Sequence, residues 1–95
     1  MNDNGEKRKA LRLHGRVQGV GFRWWAQRQG ERLQLRGFVR NCPDGTVEIA
    51  FAGPAAGVDE MSRLLQDGPR TARVDRVESL PEPDSLPDSF RIGGP

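Results

Sequence analysis

A glycine-rich segment followed by an arginine is the part of the chain with the clearest chemical meaning. Gly15, Gly19 and Gly21 are closely spaced, and Arg23 follows where helical spacing begins. Glycines let successive backbone N–H groups converge on one oxyanion, and a helix N-terminus adds unpaired donors and the positive end of the helix dipole. The guanidinium of Arg23 can bond two oxygens of a phosphate at once. The segment therefore predicts a phosphate site, although the same pattern also fits an ordinary glycine-rich turn with a solvated arginine.

A second segment, residues 37–48, contains Asn41 and is typical of two strands joined by a tight turn at Pro43, Asp44 and Gly45. Asp44 and Gly45 are typical turn residues, so Asp44 is not counted as a catalytic acid.

These two segments resemble the signature blocks of the acylphosphatase family. The first block is Gly15-Arg16-Val17-Gln18-Gly19-Val20 followed by Phe22-Arg23, and the second is Gly37-Phe38-Val39-Arg40-Asn41 with Asp44-Gly45-Thr46-Val47-Glu48. Residues 68–78 resemble the family's segment that leads into its fourth strand. The resemblance runs from about Leu11 to Ile92 and implies an enzyme that hydrolyses a carboxyl-phosphate anhydride to a carboxylate and inorganic phosphate without a metal.

The resemblance also implies a role for each site residue. Arg23 matches the arginine that grips the phosphoryl group, and Asn41 matches the asparagine that positions the attacking water. A neutral amide donates and accepts hydrogen bonds at the same time, which suits this role, whereas an aspartate there would repel an incoming anion. The cradle around the phosphoryl oxygens matches the backbone of Arg16, Val17, Gln18, Gly19 and Val20. An acyl phosphate carries a good leaving group, so its hydrolysis needs charge stabilisation and an oriented water more than acid–base help. We expect no cofactor and no metal, and we expect phosphate or sulfate to inhibit by binding the same loop.

Composition favours a small globular domain that acts on a small molecule. The chain has 95 residues, 29% of them charged, with a formal net charge of +2. This mild positive excess attracts small anions but falls short of the basic stripe of a nucleic-acid-binding protein. No apolar run reaches the roughly 20 residues that a membrane span needs. The single cysteine, Cys42, fits a reducing compartment, so we expect a cytoplasmic protein. We further expect a monomer without nucleic-acid or membrane partners.

The spacing of apolar residues predicts the element order β-α-β-β-α-β. The expected strands are residues 10–15, 38–42, 46–52 and 71–80, the expected helices are residues 22–33 and about 53–67, and residues 90–92 could add a short edge strand. This order predicts an α+β, ferredoxin-like sandwich with two helices on one face of an antiparallel sheet, as the resemblance also implies. Residues 1–9 are expected to be a disordered leader, and residues 10–95 a single domain. Val74 and Val77 are out of phase for one strand, which predicts a bulge or a late start.

Other reactive or aromatic residues are given structural roles. His14 falls on the polar face of an alternating strand and is interpreted as a surface or structural residue rather than a base. Cys42 has no evident histidine partner and is interpreted as inert. Of the adjacent pair Trp24 and Trp25, which could stack on an acyl group, one is expected in the core and the other on the surface.

Two positions depart from the family pattern near the end of the first helix. Gln34 stands where a glycine between two leucines is common, so a retained left-handed helix end would be mildly strained there. Gly30 stands where a small alanine is usual, which should weaken the helix by about 0.5–1 kcal/mol.

Two other functional classes stay open on the sequence alone. The same cradle could serve a non-catalytic module that binds anions, as in acylphosphatase-like domains of larger maturation proteins. A ferredoxin-like domain could also bind RNA through aromatic residues on its sheet, but the chain has no tyrosine and only Phe38 and Phe51 in the central hairpin.

Overall fold

Five strands and two helices, in the predicted order, make up the fold of residues 5–93, which the computed structural model describes. The elements are β1 Glu6–Arg16, α1 Phe22–Arg32, β2 Arg36–Asn41, β3 Val47–Pro54, α2 Ala55–Asp67, β4 Arg73–Leu80 and β5 Phe90–Ile92. They form one sheet of order β4-β1-β3-β2-β5. Strands β1 to β4 pair antiparallel as predicted, whereas the short β5 pairs parallel to β2, which makes the sheet mixed. The predicted ferredoxin-like α+β fold is confirmed.

The main core lies between the two helices and one face of the sheet. Alternate residues of the strands point to this face, and they pack against apolar side chains of α1 and α2. The strand residues are Leu11, Leu13, Val39, Val47, Ile49 and Phe51, and the helix residues are Phe22, Ala26, Val58, Met61 and Leu65. Fully burying one such side chain is worth about 1.5–3 kcal/mol, so this layer fixes which face each strand turns to the helices.

Strand β1 begins at Glu6, earlier than the sequence predicts. Lys7 pairs with Gly53 and Lys9 with Phe51 of β3, and the two lysines reach α2, where Lys7 Nζ lies 2.7 Å from Asp59 Oδ1 and Lys9 Nζ donates to Ser62 Oγ at 3.1 Å. The expected disordered leader is therefore wrong for the residues after Gly5, because backbone pairing and these polar contacts order them. Its residues 1–4 lie outside the described residues.

Residues 81–89 connect the two edges of the sheet across the face that the helices leave open. Leu86 packs against a small second core of Ala10, Phe38 and Ala50. The main-chain carbonyl of Leu86 accepts a hydrogen bond from Arg36 Nη1 at 3.1 Å, and that of Asp84 accepts one from Arg8 Nη1 at 2.8 Å. Arginine side chains thus satisfy carbonyls of a segment that is too rich in proline to form a strand.

The rest of the open face carries a row of alternating charges. Glu78 of β4, Arg12 of β1, Glu48 of β3 and Arg40 of β2 pair successively across four strands. Arg40 Nε donates to Glu48 Oε1 at 2.9 Å. Opposite charges directly across a sheet stabilise the pairing modestly, so this row helps to set the register of the strands that end at the candidate site.

Helix α1 ends in the left-handed conformation that the sequence raised as one alternative. Gln34 has φ 62°, its N–H donates to the carbonyl of Glu31 at 3.1 Å, and the N–H of Leu35 donates to the carbonyl of Gly30 at 2.8 Å. This is the Schellman arrangement, with a glutamine where glycine is usual. The strain expected at Gln34 is therefore present.

Gly30 has a packing role that corrects the expectation of a simple weakness in α1. A Cβ atom at this position would lie 2.3 Å from Cδ2 of Phe90, a contact that no structure tolerates without a shift. Phe90 is 3% exposed, and its ring fills the space that an alanine would need. The low helix propensity of Gly30 is thus offset by the burial of an aromatic ring from β5.

Candidate active site

The topology explains why the glycine-rich segment and Asn41 come together. Strands β1 and β2 both run antiparallel to β3, which lies between them, so the C-terminal ends of β1 and β2 lie at the same end of the sheet. The glycine-rich segment follows the end of β1, and Asn41 is the last residue of β2. Asn41 pairs with Val47, which faces the core, so Asn41 lies on the face that carries α1.

Two glycines of the segment are required by conformation rather than by space. Gly19 has φ 74° and Gly21, the N-cap of α1, has φ 77°, and a Cβ atom on either would meet nothing within 4 Å. This left-handed backbone costs other residues about 1–2 kcal/mol. The two glycines therefore shape the loop while leaving its outer side open to a ligand.

Gly15 is required for a different reason, which is close approach of the backbone. A Cβ atom there would lie 2.2 Å from the carbonyl oxygen of Arg73. The β1–β4 register shifts between His14 and Gly15, which confirms the irregularity predicted from the phase of Val74 and Val77.

The loop amides form a set of available donors. Within residues 5–93, the N–H groups of residues 18–22 donate to no protein acceptor, and Gly21 provides no side-chain cap for α1. Backbone amides that lack partners next to a helix N-terminus are the usual arrangement of an anion-binding loop. The loop can therefore bond several oxygens of one phosphoryl group.

Two side chains hold this loop to neighbouring elements. Gln18 Nε2 donates to the carbonyl oxygens of Cys42 at 2.8 Å and Thr46 at 2.9 Å. Thr71 Oγ1 donates to the carbonyl of Val20 at 2.7 Å. The role of the Gln18 side chain was missed at the level of sequence, which placed this residue in the cradle through its backbone alone.

Arg23 and Asn41 line one small cavity at this end of the sheet, where β1 and β2 terminate. Its volume is about 210 Å³, and its other walls are Val17, Gly19, Gly21, Phe22, Trp24 and Ile92. Both candidate catalytic residues are exposed, and Arg23 makes no ion pair with another described residue. Its charge is thus free to meet an anion.

The remaining predicted cradle residues lie beside the cavity rather than on its wall. Arg16 is exposed at the end of β1, the Gln18 side chain turns to the hairpin, and Val20 packs against the core. Val17, which is 1% exposed, and Gly19 do line the cavity.

The turn after Asn41 is stabilised by Asp44. The N–H and the hydroxyl of Thr46 donate to Asp44 Oδ1 at 3.0 and 2.6 Å, and these bonds hold the pKa of the Asp44 carboxyl below its ordinary value. Asp44 therefore has the turn role that the sequence predicts.

His14 and the tryptophans also occupy the expected environments. His14 Nε2 lies 2.9 Å from Glu78 Oε1 on the open face, and this contact, followed by the charge of Arg76, lowers the pKa of Glu78. Trp25 packs edge-on against Phe22 with ring centroids 5.4 Å apart, whereas Trp24 is exposed. His14 does not line the cavity that contains Arg23 and Asn41.

The fold is a ferredoxin-like sandwich in which a loop with unbonded amides, Arg23 and Asn41 share one cavity, an arrangement that suits an anionic ligand. Comparison with known proteins agrees, because the family model Acylphosphatase matches residues 9–92. The chain belongs to the acylphosphatase family. A relative named acylphosphatase from Nitrobacter hamburgensis is 54% identical over 81 residues, which are 85% of this chain and 82% of that protein.

Solved structures show the same similarity. The acylphosphatase from Bacillus subtilis superposes with a TM-score of 0.82 at 32% identity, over 90% of this chain and 97% of that one. The HypF protein of Thermococcus kodakarensis has a TM-score of 0.77 at 30% identity over 92% of this chain, which is 12% of that protein. Matches along most of the length of proteins named acylphosphatase favour the catalytic function over a non-catalytic module.

Proposed function

We propose that this acylphosphatase cleaves its substrate by direct attack of water on phosphorus, with Arg23 and the loop amides holding the phosphoryl group and Asn41 orienting the water. The observation that carries the proposal is that Arg23, Asn41 and the glycine loop line one cavity. The family implies a small-molecule acyl phosphate as substrate.

The reaction balances without a covalent intermediate. The water oxygen forms a bond to phosphorus while the bond between phosphorus and the acyl oxygen breaks, and the electron pair of that bond leaves with the carboxylate. One water proton passes to a phosphoryl oxygen. A carboxylate is a weak base, so the leaving group needs no protonation.

Electrostatic stabilisation supplies most of the catalysis in this proposal. Negative charge spreads over the phosphoryl oxygens in the transition state, and donors fixed before the reaction stabilise that charge without reorganising. The guanidinium of Arg23 and the amides of residues 18–22 are such donors. The Asn41 amide accepts a hydrogen bond from the water and donates another, so it selects one direction of attack.

Hydrolysis of benzoyl phosphate in ¹⁸O-labelled water with excess chelator tests the proposal. Attack on phosphorus places the label in inorganic phosphate, whereas attack on the carbonyl carbon places it in benzoate. Label in benzoate, or a trapped phosphoryl or acyl adduct on Cys42 or His14, would overturn the direct-water mechanism. Loss of activity in chelator would contradict the expectation that no metal takes part.

Further parts of the proposal concern the partners and the cell compartment. Phosphate and sulfate should compete with substrate, because they present the same oxygens to the loop. We also propose that the protein works in the cytoplasm, which its single free cysteine supports, and that it is a monomer. Neither helix described within residues 5–93 is long and apolar enough to cross a membrane.

The open face of the sheet does not favour RNA binding. Phe38, the aromatic residue of this face in the central hairpin, is 8% exposed and packs with Leu86 of the crossing segment. Stacking on a base needs an accessible aromatic face.

A further inference from the structure

The cavity with Arg23 and Asn41 has an apolar wall that phosphate binding leaves unexplained. Trp24 is 59% exposed and Ile92 is 42% exposed, and they are the large apolar side chains exposed among residues 5–93. They come from different elements, α1 and β5, and both line this cavity. Isolated exposed apolar residues are ordinary, but their convergence on one cavity indicates an apolar ligand group.

The indole of Trp24 is held in place from one side. The guanidinium carbon of Arg28, one turn later on α1, lies over the ring at 4.8 Å from its centroid. This cation–π contact restricts the rotamers of Trp24, so less side-chain entropy is lost when a ligand packs against the ring.

The position of Ile92 is fixed by the bonds that join β5 to α1 and β2. Gln27 Nε2 donates to the carbonyl of Phe90 at 3.0 Å, the N–H of Gly93 donates to the carbonyl of Val39 at 2.8 Å, and Ile92 pairs with Val39. Val39 is two residues before Asn41 on β2. Ile92 and Asn41 therefore lie near each other, at the C-terminal ends of two paired strands.

We propose that Trp24 and Ile92 bind the acyl group of the substrate, so that the enzyme prefers acyl phosphates whose acyl group is aromatic or a large branched hydrocarbon over those with a small one. The proposal rests on the proposed function. The loop amides and Arg23 are the polar groups of the cavity that suit the phosphoryl oxygens, and Trp24 and Ile92 are its exposed apolar side chains, which suit the acyl group.

The test compares benzoyl phosphate with acetyl phosphate. The ratio of their kcat/KM values should fall by about 10-fold in Trp24→Ala, since an aromatic pair is lost, and the change should lie in KM for benzoyl phosphate. Trp24→Phe should have a ratio close to that of the wild type. Ile92→Ala should lower the ratio, but by less than Trp24→Ala does. Trp25→Phe is the matched control, because Trp25 packs against the core, and its ratio should equal that of the wild type.

Non-hydrolysable ligands test the same wall without turnover. Phenylphosphonate should bind the wild type more tightly than methylphosphonate, and Trp24→Ala should remove most of that difference while phosphate affinity stays within about 2-fold. If both Trp24→Ala and Ile92→Ala keep the wild-type preference for the aromatic ligand, the inference is overturned. It is also overturned if Trp24→Ala lowers kcat/KM equally for both substrates and weakens phosphate binding. A wild type that binds both phosphonates with the expected preference but hydrolyses neither acyl phosphate would instead overturn the proposed function alone.

Discussion

The side-chain amide of Gln18 donates to the main-chain carbonyl of Cys42 at 2.8 Å, so the loop that would hold phosphate is bonded to the residue directly after Asn41. A second bond from the same nitrogen reaches Thr46, at the other side of the turn. One side chain thus connects the loop to the turn that follows Asn41, the residue proposed to orient the water.

Replacing Gln18 by alanine should therefore impair chemistry more than binding. A displacement of Asn41 by about 1 Å can cost on the order of 10²-fold in rate, whereas the loop amides remain able to bond phosphate. We expect kcat to fall by about 10- to 100-fold with a small change in the Kd of phosphate. Gln29→Ala is the control, because the side chain of Gln29 hydrogen-bonds only to Arg32 among the described residues. Equal kcat values for the two variants would contradict the positioning role.

Replacing Arg23 should weaken phosphate binding and lower turnover. Lysine keeps the charge but loses the two parallel donors, so Arg23→Lys should fall between the wild type and Arg23→Ala in both properties. Phosphate Kd by calorimetry and kcat/KM for an acyl phosphate measure the two effects. A fully active Arg23→Ala variant would remove this residue from the mechanism.

Replacing Asn41 by alanine should separate chemistry from binding. The loss of one preorganised group in the transition state costs on the order of 10²–10³ in kcat, and phosphate affinity should stay close to that of the wild type. Amide chemical shifts of residues 17–22 should still respond to phosphate. A folded Asn41→Ala protein with normal kcat and strongly weakened phosphate binding would show that the water-orienting role belongs to another residue.

Replacing Gly30 by alanine should destabilise the protein although alanine is the better helix former. The added Cβ would collide with the ring of Phe90, and overpacking of this kind costs about 1–3 kcal/mol. Urea unfolding should show the loss, and Phe90→Leu in the same chain should relieve part of it. Additive effects of the two substitutions would mean that the helix and β5 do not interact at this contact.

The pKa of Asp44 offers a test of the turn after Asn41. The Thr46 hydroxyl, the largest cause, holds this pKa below its ordinary value of 3.8. A depressed carboxyl pKa contributes stability above the unfolded-state pKa, and that contribution is lost as the pH falls through the folded-state pKa. Thr46→Val should move the NMR titration of Asp44 upward towards 3.8 and leave the titration of Glu60 on α2 unchanged. An unchanged Asp44 titration would contradict this assignment.

The sequence predicted the fold well because alternation and helical spacing depend on residues that are near in the chain. Leu11 and Leu13, or Val47, Ile49 and Phe51, reveal a buried strand face without knowledge of any partner. The early start of β1 could not be predicted in this way, because Lys7 and Lys9 are polar and their partners lie on α2, far along the chain.

The same distinction applies to the site. Arg23 and Asn41 were predictable from segments that resemble a family, and the structure places them in one cavity. The second role of Gln18 and the apolar contribution of Ile92 depend on contacts between distant segments, which no local pattern reveals. Gly30 was misjudged for the same reason, since helix propensity carries no information about the ring of Phe90.

The short strand β5 also has a consequence for the behaviour of the protein in concentrated solution. Strand β2 contains Phe38 and Val39 and would otherwise form an edge whose unpaired backbone could add a strand from another molecule. β5 occupies that edge with three residues, one of them Arg91. At the opposite edge, β4 exposes Arg73, Asp75 and Arg76. Both margins of the sheet are thus poor templates for intermolecular β-pairing, which protects the folded domain against aggregation through its edges.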